Sequence, residues 1–215
     1  MGIPVLILGA SGSGKSASLR NFKADEIGVF NVASKPLPFR GNLPKVDGAN
    51  YETICKTLKA NNKKCYAIDD SQFLMVFEEF GRAKESGYQK FTDMALNFYN
   101  LVQTVIQCTS PDTTVYFLHH TETDEFGHIK AKTVGKMIDS KLTLEGMFSI
   151  VLLAGTDGAT HWFETQSDGI TTCKTPMGMF ADKRIDNDLR YVDEVVREYW
   201  GMAPISAKPA AKKEG

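Results

Sequence analysis

Eight residues near the start of the chain, Gly9-Ala10-Ser11-Gly12-Ser13-Gly14-Lys15-Ser16, combine three kinds of group that together handle phosphate. Glycines let successive backbone N–H groups turn inward toward an anion, a lysine supplies a compact positive charge, and a serine hydroxyl can ligate Mg²⁺. The spacing fits G-x-x-x-x-G-K-[ST], in which the lysine reaches the β- and γ-phosphates of a nucleotide. A glycine-rich turn with a chance lysine would have the same letters. Here a buried-looking run precedes the pattern and a helical-looking run follows it, so Gly9 to Ser16, with the adjoining Ala17, is the expected phosphate-binding set.

Such a site needs a carboxylate near the metal. In "CYAIDD", residues 65 to 70, an apolar strand delivers Asp69 to its carboxyl end, where it can hold Mg²⁺ through water beside Ser16. Asp70, next to it, can orient or deprotonate an attacking water; Asp-Asp after a strand also reads as a turn or a helix cap, with Ser71 supporting the latter. The next strand closes on His119 and His120. Where a strand lies between those bearing the loop and the aspartate, a polar residue at its tip can sense the terminal phosphate, and His120 is preferred for that role over a plain surface histidine.

"GHIKAKTVGKMIDSK" concentrates Lys130, Lys132, Lys136 and Lys141 against the single acid Asp139. It reads as a solvated face, as a loop gripping a nucleic-acid backbone with Phe126 for stacking, or as a source of a lysine finger for a neighbouring subunit. Lys208, Lys212 and Lys213 can add weak, salt-sensitive phosphate contacts.

The elements that must position these groups follow from the hydrophobic pattern. "IPVLILG" is a short continuous apolar run suited to a strand covered on both faces, and Lys15 to Phe22 reads as a helix. Further strands are expected at residues 27–33, 65–70 and 113–120, and later in "FSIVLLAG" and "THWFETQ". Helices are expected at 51–62, in two pieces between Ser71 and Cys108 with a joint at "GRAKESG", and at 188–200, capped by Asp186, Asn187 or Asp188 and ended by Gly201. Residues 34–45 form a proline-broken surface loop, 124–135 a hairpin or ordered loop, and Trp162 and Phe163 belong to the core. This alternation is an α/β pattern: a mostly parallel sheet flanked by helices, with an antiparallel extension at one edge.

At 215 residues the chain suits one domain, 1–202, followed by a disordered Ala/Lys/Pro tail, 203–215. Its 25 basic and 26 acidic residues nearly cancel, so no global field draws it to nucleic acid or membrane, and any such binding is local. The four cysteines have no disulfide or zinc spacing and read as small buried hydrophobes in a reducing cytoplasm. No apolar run approaches the roughly 20 residues that cross a bilayer, and no membrane partner is expected.

Taken together, "GASGSGKSASLRNF", "AIDDSQFLM", "YFLHHTE", "KTVGKMIDSKLTLEGMFSIVLLAG" and "KTPMGMFADKRIDNDL" resemble the small RecA-like, AAA-type ATP-binding proteins of bacteriophages, some of which act in single-strand annealing or recombination. The likeness spans residues 3 to 190. It implies a P-loop NTPase with a RecA-like core, ATP and Mg²⁺ at Gly9 to Ser16 and Asp69, homo-oligomeric ring or filament assembly, single-stranded DNA as partner, and a cytoplasmic location in an infected bacterium. Relatives of this kind often carry a glutamate at the tip of the second strand, where this chain reads "NVASKP". Either Asp70 takes that duty or hydrolysis is slow and ATP acts as a conformational ligand. A P-loop kinase of a small substrate and a nucleotide-gated interaction module without DNA binding are the competing readings.

Overall fold

The computed structural model describes residues 1–134 and 143–205 of the chain. The expectations for Lys136, Lys141, Lys208, Lys212 and Lys213 lie outside the described residues. In chain order the elements are β1 (Ile3–Gly9), a 3₁₀ turn (Ser16–Asn21), β2 (Gly28–Asn31), β3 (Lys45–Asp47), α1 (Tyr51–Ala60), β4 (Cys65–Asp69), α2 (Phe73–Gly81) and α3 (Gln89–Cys108). They continue with β5 (Thr114–Thr123), β6 (Ile129–Ala131), a second 3₁₀ turn (Leu144–Met147), β7 (Ile150–Thr156), β8 (His161–Glu164), β9 (Arg184–Asp186) and α4 (Leu189–Tyr199).

Among the described residues the strands make one mixed sheet in the order β3-β2-β4-β5-β1-β7-β8-β9, with β6 pairing off the end of β5. From β3 to β7 every neighbour is parallel; β8, β9 and β6 are antiparallel. The expected parallel sheet and antiparallel edge are therefore both present.

Period-two alternation along the central strands builds a core on each face. Leu6 and Leu8 of β1, Tyr66 and Ile68 of β4, and Val115 and Phe117 of β5 join one cluster, covered by Ile54 and Leu58 of α1 and by Met94, Phe98, Leu101, Val102 and Val105 of α3. Val5, Ile7, Cys65, Ala67, Tyr116 and Leu118 point the other way, onto Leu19 of the first 3₁₀ turn and Leu189, Val192 and Val196 of α4. Both faces being dry explains why these strands read as unbroken apolar runs.

Local chemistry sets the helix ends. Asn50 caps α1 by accepting from Thr53 N at 2.9 Å, and Asn61 ends it in the left-handed region with φ 50°. Asp188 caps α4 through Arg190 N at 3.0 Å, and Gly201 follows it with φ 63°. A buried clamp then fixes α4: Asp193 accepts from Thr114 Oγ1 at 2.6 Å and Tyr116 Oη at 2.8 Å, and pairs with Arg197. Arg197 in turn donates to the carbonyls of Lys64, Asp112 and Ala203.

Several expectations change. The segment after the glycine-rich loop is a six-residue 3₁₀ turn, Ser16–Asn21, where a helix over Lys15 to Phe22 was expected; the Ser18 hydroxyl donates to Lys15 O at 2.6 Å. Trp162 is half-buried on the antiparallel edge, with the Arg184 guanidinium 4.1 Å above its ring, while Phe163 is fully buried. Cys108 is exposed at the end of α3, unlike Cys65 and Cys173. The first residues of the expected disordered tail are held in place, Ala203 by Arg197 and Ile205 against the α4-side core. No helix among the described residues is long and apolar enough to cross a membrane.

Candidate functional site

Parallel pairing brings the carboxyl ends of β1, β4 and β5 together. Gly9 lies opposite His120 in the β1–β5 register, and Ile68, just before Asp69, lies opposite Phe117. The residues leaving these ends line one cleft of about 340 Å³: Ser11, Gly12 and Gly14 to Ala17 from the loop, Asp69 and Asp70 after β4, and His120 on β5. This is where ligands collect in open parallel sheets. Gly9, Ala10 and Ser13 complete the loop behind it.

The loop's shape depends on its glycines. Gly14 has φ +93°, and a Cβ there would lie 2.7 Å from the His161 ring; a Cβ on Gly9 would lie 2.3 Å from Ser13 Oγ. Lys15, only 6 % exposed, folds back so that Nζ donates to Gly9 O at 2.7 Å and Ala10 O at 2.8 Å. Burial lowers its pKa to about 8, opposed by the nearby Asp70 and Asp69 carboxylates.

Ser16 Oγ donates to Asp69 Oδ1 at 2.7 Å. Burial raises the Asp69 carboxyl, and the Ser16 hydrogen bond counters that. Asp70 caps nothing: no side chain caps α2, and its carboxylate turns into the cleft. His120 Nε2 donates to Oδ1 at 3.0 Å and Lys35 Nζ to Oδ2 at 2.7 Å. Burial alone would raise the Asp70 pKa; these two donors outweigh it and hold it at about 2.

His119 faces away from the cleft. Its Nε2 lies 2.8 Å from the carbonyl of Lys132, which can only accept, so the proton sits on Nε2. Burial drops its pKa to about 4, so the ring is neutral at pH 7 and Nδ1 accepts from Ser71 Oγ at 2.9 Å. Lys132 N also donates to His120 O at 2.9 Å. β5 does not close at His120 as expected but runs on to Thr123 in the β5–β6 hairpin, and these bonds tie the segment after β6 to His119 and His120. At its turn Phe126 is 77 % exposed, and the register sets Lys130 against Glu122, at 3.1 Å.

Two charged or titratable cleft residues, and one polar residue behind the loop, escaped the sequence reading. Lys35 enters from the loop after β2; His161, on β8, reaches Gly12 O at 3.2 Å; Asn187 packs against Gly14. Ser13 Oγ, within the glycine-rich loop, and the Asn187 amide nitrogen, packed against Gly14, are buried polar atoms with no partner. Unpartnered donors beside a lysine held only by neutral carbonyls suit a phosphate ligand. Among the described residues there is no cluster of three or more His, Cys, Asp or Glu side chains placed to hold a metal. A Mg²⁺ here would depend on Ser16 and Asp69, with phosphate and water completing its shell.

No family model matches the chain, and no curated protein matches it.

Proposed function

We propose that the chain is a P-loop NTPase with a RecA-like core, an ATP-binding protein and Mg²⁺-dependent ATPase that binds single-stranded DNA as a homo-oligomer in phage recombination, annealing or replication. The reading is carried by the Ser16–Asp69 hydrogen bond, which joins the lysine-serine end of the glycine-rich loop to the carboxyl end of β4 at 2.7 Å. It is supported by the strand order, in which β5 lies between β1 and β4 and places His120 beside both.

Bound ATP supplies the phosphoanhydride, and Mg²⁺ supplies charge neutralisation at its phosphates. Lys15 exchanges the Gly9 and Ala10 carbonyls for phosphate oxygens, and the loop N–H groups take the remaining charge. Ser16 and Asp69 are the residues that would hold Mg²⁺, the hydroxyl as a ligand and the carboxylate as its support. Asp70 stays ionised and orients the attacking water by accepting its hydrogen bond. A carboxylate held at a pKa of about 2 is a weak proton acceptor, which suits positioning a water over deprotonating it.

DNA contacts fall to Phe126, Lys130 and Lys132 on the β5–β6 hairpin, with Lys136 and Lys141 beyond it. Lys132, whose carbonyl accepts from His119 Nε2 and whose N–H donates to His120 O, connects that hairpin to the cleft residue His120. A kinase lid has less support, since no arginine lines the cleft among the described residues: Arg20, Arg82, Arg184, Arg190 and Arg197 hold other partners, and Arg40 is exposed on the loop after β2.

The test is calorimetry with Mg²⁺-ATP, followed by anisotropy of a labelled single-stranded oligonucleotide at rising salt, with and without ATP. Binding heat that vanishes in Lys15→Ala, with ATP-dependent and salt-sensitive anisotropy, supports the whole reading. Absence of heat in the wild type removes the nucleotide; heat with flat anisotropy removes the DNA.

A further inference from the structure

Among the described residues, Lys35 is the one lysine lining the cleft that the glycine-rich pattern does not explain. It stands at the tip of β2, where its backbone is clamped by a buried side chain: Asn31 Oδ1 accepts from Lys35 N at 3.2 Å and Asn31 Nδ2 donates to Lys35 O at 2.7 Å. Pro36 follows and stiffens the exit. The ammonium lies 2.7 Å from Asp70 Oδ2 and 4.9 Å from the centroid of the Phe73 ring.

Two features separate this contact from an ordinary stabilising bridge. The Lys35 side chain is 58 % exposed, and ion pairs with an exposed partner contribute little to stability. Yet the backbone is left-handed on both sides of it, at Ser34 with φ 55° and at Asp70 with φ 58°, and neither is a glycine. Strain at two positions around a weak contact is the pattern of a site. Moreover, Lys35 has three donors and uses one on Asp70, so further N–H groups remain available to an anion in the cleft.

The strand order decides which part of a ligand this cation would meet. The glycine-rich loop follows β1, whereas Lys35 follows β2, with β5 and β4 lying between the two strands, and shares Asp70 with His120. Lys15 serves the loop side of the cleft; Lys35 serves the β4–β5 side. The geometry points to Lys35 as a second phosphate-binding residue that recognises the terminal phosphoryl group of a nucleoside triphosphate and so lets the cleft distinguish a triphosphate from a diphosphate. This rests on the nucleotide reading of the cleft. In the structure Asp70 pairs with the cation; a terminal phosphoryl group competes for it, leaving that carboxylate oxygen to a water.

The experiment is calorimetry of full-length wild type, Lys35→Met, Lys35→Gln and Lys35→Arg with Mg²⁺ and either ADP or a nonhydrolysable ATP analogue. Wild type should prefer the triphosphate. Both neutral variants should lose about ten- to a hundredfold in triphosphate affinity, the range of one charge-assisted hydrogen bond, while ADP affinity holds. Lys35→Arg, which keeps the charge, should retain most of the preference. Equal weakening of both ligands, or no change in either, overturns the proposal and leaves Lys35 a structural role. If the wild type binds neither ligand, the nucleotide reading itself fails and the Lys35 proposal with it, before any substitution is compared.

Discussion

The Ser16 hydroxyl and the Asp69 carboxylate meet at 2.7 Å although 53 residues separate them in the chain. Each is fixed from its own side, Ser16 by the turn that leaves β1 and Asp69 by the last pairing of β4 with β2. Ser16→Ala and Asp69→Asn should each weaken Mg²⁺-dependent nucleotide binding by roughly tenfold or more, the usual scale for groups that hold or orient a metal. With EDTA present, variants and wild type should converge. A deficit that persists without metal would mean that the pair shapes the loop instead.

Lys15 gives nucleotide affinity a pH dependence of definite sign. Its pKa is lowered to about 8, mainly by burial, and a bound phosphate favours the charged form. Affinity should therefore be level below about pH 7.5 and fall as pH rises past 8, with proton uptake on binding near pH 8. Calorimetry in buffers of different ionisation enthalpy measures that uptake, and Lys15→Met should abolish both the uptake and most of the binding.

His119 makes the fold sensitive to acid. Its pKa is about 4 in the folded chain because it is buried, against 6.5 for the free side chain, so the unfolded chain binds the extra proton first. The contribution is intact above about pH 6.5 and is lost as pH falls toward 4. The full difference is about 3 kcal/mol. Urea midpoints at pH 7 and pH 5 should drop further in wild type than in His119→Gln, which does not titrate.

Gly14→Ala should damage the loop in two separable ways. The backbone at φ +93° costs about 1–3 kcal/mol for a residue with a Cβ, and that Cβ would stand 2.7 Å from the His161 ring. Adding His161→Ala removes the clash and leaves the backbone strain. The double variant should thus recover only part of the stability and nucleotide affinity lost in Gly14→Ala.

The Asp193–Arg197 clamp should matter for folding and not for the cleft. Asp193→Ala leaves a buried guanidinium without its carboxylate and two hydroxyls without their acceptor. The cost should be about 3–5 kcal/mol by chemical denaturation. Nucleotide affinity of the folded fraction should stay at the wild-type value.

The glycine-rich loop, Ser16 and Asp69 were legible because each needs only local sequence, a run of glycines before Lys-Ser and an acid at the end of an apolar strand. Strand-helix alternation likewise gave the α/β class and, from closely spaced late strands, the antiparallel edge. Lys35, His161 and Asn187 were not legible. Their partners lie 35 residues away for Lys35 and 149 for His161, and a lysine in a proline-broken stretch or a histidine on an edge strand carries no pattern of its own. The short strands β3 and β9, "KVD" and "RID", lack any apolar alternation, since each has one apolar residue between charges. Asp70 was identified as polar site chemistry, but its double engagement depends on the loop after β2 folding back over β4.

Those two outermost strands limit how copies of this chain can join. β3 and β9 are three residues long, and both their first and last side chains are charged: Lys45 and Asp47 on one, Arg184 and Asp186 on the other. Short, charged borders resist zipping onto a neighbour's backbone. The ring or filament proposed above is therefore expected to join through helices and loops and not through these two sheet borders.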